Sequence, residues 1–277
     1  MIDLRNLVTV FVTTVGYPTF DACLEHLRAQ DSQFTLQIID HVAPMSAAFQ
    51  RMLDECTTPY YVQVDEDMLL YPQAVRTLYE RLVAAEPRTV QYVAVLYDAH
   101  LERAIHGLKV FKHTVVHRYP FRNVHGCEWD QIRRFRAAGY VDIRAPLAGA
   151  TRHSADTLGL HGTLWTPPAV YVRFYVLELT RRMGNRTHGW LLDAAPMLLD
   201  RFLKGPSEAD FYALMGVLAG SLAETLTTGQ ERDYRTYDHT PGFASLQRFV
   251  EEARQGWRDG TAVEPGQHDI DLLRDNA

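Results

Sequence analysis

The chain has 277 residues, of which 47% are hydrophobic and 22% are charged, and its formal net charge is −6. This composition is typical of a globular protein with one large domain or two small ones, and not of a disordered chain. The acidic balance gives no general footprint for nucleic acid or for an anionic membrane. The three cysteines are far apart and lack Cys-x-x-Cys spacing, which favours a reducing compartment without a disulfide framework.

The first six residues, Met-Ile-Asp-Leu-Arg-Asn, carry an early acid and run straight into a predicted strand. This start does not resemble a secretory signal. No apolar run approaches the ~18 residues that a membrane span needs. We therefore expect a cytoplasmic protein with no membrane span.

Strands and helices alternate in the first part of the chain. The pattern predicts strands over 7–13, 34–39 and 60–64, and helices over 20–30, 46–56 and 72–85. This alternation is typical of a parallel sheet with helices on both faces. We expect an α/β fold with a mostly parallel central sheet.

The hydrophobic period changes after Pro167. Before that point the pattern predicts strands over 90–97, 108–116 and 141–143, a basic helix over 130–138 and a loop over 146–162. After it, the pattern predicts helices over 169–183, 190–203, 207–226 and 243–257, separated by Gly, Asn and Pro. We predict a catalytic α/β domain over 1–165, a helical C-terminal extension over 166–260 and a loose tail over 261–277.

Three consecutive acids follow the buried strand 60–64, namely Asp65, Glu66 and Asp67. Acids at the end of a buried strand are costly unless a cation meets them, and ligands of open α/β sheets bind beyond the carboxyl ends of the strands. Residues two apart in a strand share a face. If the strand continues, Asp65 and Asp67 can hold one Mg²⁺ or Mn²⁺ that keeps positions open for phosphates.

The order of three features resembles the nucleotide-sugar-binding half of GT-A fold glycosyltransferases, particularly the family 2-like group. A strand ends in Val-Thr-Thr-Val-Gly-Tyr-Pro-Thr-Phe, a second strand ends in Asp40, and a third ends in the Asp-x-Asp of residues 65–67. The resemblance covers roughly residues 7–165. It implies a GT-A fold, a nucleotide-sugar donor with a UDP-sugar favoured, and a Mn²⁺ or Mg²⁺ cofactor.

The resemblance also implies roles for individual residues. Asp65 and Asp67 would serve the metal and the diphosphate, and Glu66 is included among the donor-binding residues. The residues expected to line the nucleoside are Thr13, Thr14 and Val15, with Asp40 at the base or ribose.

A second match begins at Glu128, in the run Glu-Trp-Asp-Gln-Ile-Arg-Arg-Phe-Arg-Ala-Ala-Gly-Tyr. Counting back from Gly139, Glu128 falls where many members have the general base, while Cys127 replaces the preceding Glu. Asp130 is the second candidate for the base. If the reaction retains configuration, Glu128 or Asp130 would bind the donor sugar instead.

A further metal ligand in such enzymes is often a histidine beyond this helix. His153 and His161 lie in the right region, and His161 is flanked by glycines that permit close approach. The prediction favours His161 and keeps His153 open.

The function predicted from these residues is metal-dependent transfer of a sugar from a nucleoside-diphosphate sugar to an acceptor hydroxyl. The acceptor is not identified. Four aromatic residues are candidates to form its flat binding surface: Phe121, Trp129, Trp165 and Tyr171. A positive cluster at 113–122 keeps a nucleic-acid acceptor open without favouring it, and a homo-oligomer is also open.

Two alternatives remain. The first is a nucleotidyltransferase, which should have a Gly-rich loop with Lys or Arg after its first strand to hold a triphosphate. The turn 14–18 has one Gly and no basic residue. The second is a non-catalytic module that binds a nucleotide sugar or acts as a scaffold.

Overall fold

The computed structural model describes residues 2–124, 126–163, 166–182, 194–205, 207–223 and 240–258. The strands are β1 Ile2–Asp3, β2 Val8–Thr14, β3 Ser32–Gln33, β4 Thr35–Asp40, β5 Tyr60–Asp65, β6 Met68–Leu70, β7 Thr89–Asp98, β8 Arg103–Lys112, β9 Val141–Arg144 and β10 Thr157–His161. The helices are α1 Thr19–Arg28, α2 Met45–Glu55, α3 Ala74–Ala84, α4 His113–Val116, α5 Cys127–Ala137, α6 Pro167–Arg182, α7 Ala194–Lys204, α8 Glu208–Leu222 and α9 Thr240–Arg258. The predicted tail, Trp165 and the start of the predicted helix 190–203 lie outside these residues.

A central sheet runs in the order β4-β2-β5-β8-β7-β10-β6, and β9 pairs with the first half of β7. β2 lies between β4 and β5 and is parallel to both, while β7 is parallel to β9 and β10. β8 runs antiparallel to β5 and β7, and β6 runs antiparallel to β10. The expected α/β sheet with a helical C-terminal part is confirmed.

Alternating side chains of the central strands fill two cores, one on each face of the sheet. On one face, the aliphatic residues of β2, β5 and β8 pack against α1 and α3. On the other, Phe11, Tyr61 and Phe111 pack with α2 and α5, and Tyr61 stacks on Phe111 with ring centroids 4.7 Å apart. The period of two residues in these strands thus produces a sheet with helices on both faces.

The segment predicted as a loop over 146–162 contains the strand β10, so that prediction is wrong for its second half. β10 pairs with β7 on one side and β6 on the other. At Gly159 an added Cβ would lie 2.7 Å from the carbonyl oxygen of Leu69. Glycine therefore marks close strand approach here and not a turn.

Two other boundaries differ from the prediction. The strand predicted over 108–116 begins at Arg103 and ends at Lys112, where the short helix α4 begins. β5 ends at Asp65, and Glu66 and Asp67 form a turn before β6. The strand geometry that would have put Asp65 and Asp67 on one face does not continue.

The helices α6 to α9 form a third hydrophobic cluster, centred on Tyr171, Phe174 and Tyr212, with Leu101 from the α/β part. The described parts of the four predicted C-terminal helices are helical. In the part of the chain that the structure describes, no helix combines the length and apolarity required to traverse a bilayer. The predicted division at residue 165 stays a prediction.

Two glycines of α8 let its backbone approach α6. An added Cβ at Gly216 would lie 2.3 Å from the carbonyl oxygen of Tyr171, and one at Gly220 would lie 2.6 Å from that of Tyr175. Real Cβ atoms do not approach backbone atoms this closely, so a larger residue must push the helices apart.

We expect Gly216→Ala to lower the free energy of unfolding by about 1–3 kcal/mol, the usual cost of overpacking. Chemical denaturation followed by circular dichroism measures it. Gly205→Ala is the matched control, because an added Cβ at Gly205 meets no atom within 4 Å. Equal stability of the two variants would contradict the close packing of α6 and α8.

Candidate functional site

The three consecutive acids after β5 each contact a different part of the molecule. Asp65 bonds with β2, Glu66 with the loop between β2 and α1, and Asp67 with β10. All three lie at the edge where β2 and β5 end.

Asp65 lies on the sheet face covered by α5. Its Oδ1 accepts a hydrogen bond from the Thr13 hydroxyl at 2.8 Å. Lys109, which pairs with Gln63 across β5 and β8, is close enough for its charge to act on Asp65. Burial raises the pKa of Asp65, and the charge of Asp67 adds to this, whereas Lys109 and the Thr13 hydroxyl oppose it.

Lys109 also forms an ion pair with Glu128 at the start of α5. Burial lowers the pKa of Lys109, but the carboxylates of Glu128 and Asp65 outweigh it and raise that pKa. Lys109 therefore stays charged between two acids. Glu128 contacts the lysine through Oε1, and its side chain is 31% exposed.

The carboxylate of Asp130, the second candidate base, contacts two arginines. Its Oδ2 accepts from Arg134 Nε at 2.8 Å, and Arg122 lies 3.7 Å from Oδ1. Of the two predicted bases, Glu128 is the one joined through Lys109 to Asp65.

Glu66 is buried and organises the loop between β2 and α1. Its carboxylate accepts the Thr14 hydroxyl at 2.5 Å, the Val15 N–H at 2.9 Å and the Tyr17 N–H at 3.0 Å. The Gly16 N–H donates to Thr14 Oγ1 at 3.0 Å. The backbone donors of this loop are thus already engaged. A contact of Glu66 with the donor stays a prediction.

Asp40 lies beside this loop, because β4 pairs Asp40 with Thr14. Its side chain is 64% exposed and contacts the ring of His41. The His41 N–H donates to the Thr14 carbonyl at 3.0 Å. Thr13, Thr14, Val15 and Asp40 are therefore neighbours at one corner of the sheet, as the prediction of a nucleoside site requires.

Asp67 faces His161 at the end of β10. Asp67 Oδ2 lies 3.2 Å from His161 Nε2, and Asp67 is 34% exposed. The other ring nitrogen, Nδ1, lies 2.9 Å from Asp98 Oδ2 at the end of β7. Arg173 of α6 forms an ion pair with the same oxygen of Asp98.

The pair Asp67–His161 suits a hard divalent cation. Two neighbouring ligands of an octahedral ion with ~2.1 Å bonds lie about 3 Å apart, close to the 3.2 Å observed. A ligating histidine usually donates its other N–H to a carboxylate, as Asp98 permits here. Among the described residues, no group of three or more His, Cys, Asp or Glu side chains is close enough to hold a metal, so Asp65 does not join this pair in one cluster.

The remaining predicted residues lie apart from this pair. His153 is exposed in the turn 151–154, where its N–H donates to Thr151 Oγ1. The guanidinium carbon of Arg144 lies 4.5 Å from the centroid of the Trp129 ring. Phe121 contacts Phe49. Tyr171 is buried in the helical cluster, so the prediction that it offers a flat face to an acceptor is wrong.

Three charged residues of the site were not predicted from the sequence, namely Lys109, Asp98 and Arg173. Each lies in a strand or helix where a charged residue usually points to solvent. A usable indication was present for Lys109 and Asp98, since Lys109 lies within the predicted strand 108–116 and Asp98 directly follows the predicted strand 90–97. Nothing in the sequence linked Arg173 to them.

No protein-family model and no curated protein sequence matches the chain. Among solved structures, a mannosyltransferase of Pyrobaculum calidifontis in complex with GDP-Man and Mn²⁺ is 16% identical with a TM-score of 0.47, over 93% of this chain and 83% of that one.

A 4-diphosphocytidyl-2C-methyl-D-erythritol synthase of Anaerococcus prevotii is 6% identical with a TM-score of 0.38, over 54% of this chain and 94% of that one. A cytidylyltransferase of Thermus thermophilus is 13% identical with a TM-score of 0.34, over 55% and 92%. With all these TM-scores below 0.5, none of the similarities assigns a function to the chain.

We expect Asp65→Asn to stabilise the protein at neutral pH. A pKa raised on folding means that the folded state disfavours the ionised carboxylate, at 1.36 kcal/mol per pKa unit. The amide avoids that cost and still accepts from Thr13. The gain should shrink as pH falls towards about 4, where the carboxyl is protonated in the unfolded chain as well.

Thermal melts between pH 4 and pH 8 measure this difference. Asp40→Asn is the control, because a substitution at an exposed position usually changes stability by less than about 0.5 kcal/mol. A loss of stability in Asp65→Asn at pH 7 would contradict the assignment of burial as the dominant influence.

Proposed function

We propose that the chain is a metal-dependent glycosyltransferase of the GT-A type, which moves a sugar from a nucleoside-diphosphate sugar to an acceptor hydroxyl. The observation that carries the proposal is the 3.2 Å contact between Asp67 Oδ2 and His161 Nε2, with Asp98 behind the histidine. This pair lies at the carboxyl edge of the sheet, next to the corner formed by Thr13, Thr14, Val15 and Asp40. Ligands of such sheets bind at this edge.

Asp67 and His161 are the residues that would hold Mn²⁺ or Mg²⁺, with phosphate oxygens and water as further ligands. When bound, such a cation neutralises the negative charge that develops on the departing diphosphate. Lys109 supports this assignment as a second, permanent positive charge beside Asp65. Asp65 keeps its predicted role near the donor through Thr13, with no direct metal contact required.

Glu128 is the residue that would accept the proton of the acceptor hydroxyl. Its Oε1 is held by Lys109, which leaves Oε2 to receive the proton. General-base catalysis of this kind contributes typically ~10²–10⁴-fold. Asp130 suits this role less well, because Arg134 and Arg122 surround its carboxylate.

One observation favours glycosyl over nucleotidyl transfer. A nucleotidyltransferase needs free backbone N–H groups after its first strand to bind a triphosphate. Here the N–H groups of Val15 and Tyr17 donate to Glu66, and that of Gly16 donates to Thr14. This loop therefore has few donors left for phosphates.

We expect Asp67→Ala and His161→Ala to abolish Mn²⁺-dependent binding of nucleotide sugars. Each removes one of the two side chains that face each other across the proposed cation position. Isothermal titration with UDP-, GDP-, CDP- and dTDP-sugars, with and without Mn²⁺, measures the effect. His153→Ala is the matched control and should bind as the native chain does.

Assays of product release, run beside the titration, separate the proposed function from its alternatives. Slow release of nucleoside diphosphate from a nucleotide sugar supports a transferase. Metal-dependent binding without any release would favour a non-catalytic module. Release of pyrophosphate from a nucleoside triphosphate would favour the nucleotidyltransferase, and no binding of any nucleotide sugar would reject the proposal.

We expect Glu128→Gln to lower turnover by about 10²–10⁴-fold while donor affinity stays nearly unchanged. The amide keeps the shape of the side chain but cannot accept the proton. Steady-state kinetics with the donor found by the titration measure the turnover of Glu128→Gln against that of the native chain. Glu55→Gln is the surface control. Full activity of Glu128→Gln would move the role to Asp130 or to no base at all.

A further inference from the structure

Asp98 is a fully buried carboxylate whose oxygens are both occupied. It is 0% exposed. Its Oδ1 accepts the Leu101 N–H at 2.7 Å, and its Oδ2 accepts from His161 Nδ1 at 2.9 Å and from Arg173.

The backbone holds these groups in register. β7 and β10 pair Asp98 with His161, and the Ala99 N–H donates to the His161 carbonyl at 2.9 Å. This pairing places the two side chains beside each other, and the contact of Nδ1 with Asp98 Oδ2 orients the imidazole. A carboxylate that accepts from Nδ1 fixes the tautomer in which Nε2 has the free lone pair.

Gly162 makes room for the arginine. Its φ is +68°, and an added Cβ would lie 2.5 Å from Arg173 Nη1 and 3.9 Å from Asp98 Oδ1. The guanidinium thus passes over the backbone directly after His161. Without this cation, Asp98 would be a buried charge whose remaining polar partners are an imidazole and one backbone N–H.

We propose that Asp98 and Arg173 are positioning residues for His161, and that α6 thereby sets the metal affinity of the site. Arg173 pairs with Asp98 Oδ2, the same oxygen accepts from Nδ1 of His161, and Nε2 is left facing Asp67. The inference rests on the proposed function in one respect, because it takes Nε2 of His161 as a ligand of the cation. It adds that the helical part of the chain completes a site otherwise built on the sheet.

The test measures Mn²⁺ affinity and histidine ligation in the full chain. Electron paramagnetic resonance of free Mn²⁺ gives the affinity, and pulsed measurements detect the coupling of a ligating ¹⁴N nucleus. The native chain should show this nitrogen coupling, and His161→Ala should lose it. Arg173→Met should weaken Mn²⁺ binding about 10–100-fold, the usual effect of losing a residue that orients a ligand.

Three further variants separate positioning from general damage. Arg173→Lys keeps the charge and should recover most of the affinity. Arg76→Met is the matched control, because Arg76 pairs with Asp31 and Glu80 away from the site. The double variant Arg173→Met/His161→Ala should bind Mn²⁺ no more weakly than His161→Ala alone, because a residue that acts only through His161 has nothing left to act on.

Native-like affinity and nitrogen coupling in Arg173→Met would overturn the inference, as would additive losses in the double variant. If Arg173→Met does not fold, Asp98→Asn replaces it in the test. Asp98→Asn should also weaken Mn²⁺ binding, and native-like affinity and nitrogen coupling in it would overturn the inference. If the native chain itself shows no nitrogen coupling and binds no nucleotide sugar, the proposed function fails first. If the native chain does show the coupling, and both its affinity and its coupling survive in Arg173→Met and Asp98→Asn, only the positioning role is overturned.

Discussion

The site depends on how three adjacent carboxylates at the end of one buried strand are kept apart and individually partnered. Like charges so close together raise the cost of ionisation for each of them. The chain meets this constraint by turning after Asp65, so that each acid contacts a different element. Asp65 has Thr13 and Lys109, Glu66 has the loop after β2, and Asp67 has His161.

This separation gives the acids different chemical roles. Glu66 accepts three hydrogen bonds and shapes the corner next to the sheet edge. Burial raises the pKa of Asp65, and the nearby Lys109 opposes this shift. Asp67 is 34% exposed and faces His161. Carboxylates placed so close together are expected to lower the stability of the protein, a cost that is common at functional sites.

Much of the scaffold was predictable from local pattern, while the charge network was not. The β-branched runs of β2, β4 and β5 and the acids that follow them predict both the strands and the edge at which they meet. The glycines around His161 were assigned to a loop, because a short strand between two others has no period of its own. Lys109 depends on an antiparallel strand inserted between β5 and β7, and Arg173 depends on the docking of a helix 75 residues after Asp98. Such contacts follow from topology, which local sequence does not encode.

The tight contact between α6 and α8 has a consequence for how the chain can be altered. Arg173 lies on α6 between Tyr171 and Tyr175, whose carbonyl oxygens approach Gly216 and Gly220. The position of α6 is thus set by its packing against α8, and this position also places the Arg173 guanidinium against Asp98. No contact is described between α8 and the acids at residues 65–67. Truncating the chain after α6, or fusing its sheet to another helical segment, would remove the packing that positions Arg173. An engineered chimera therefore has to include both α6 and α8.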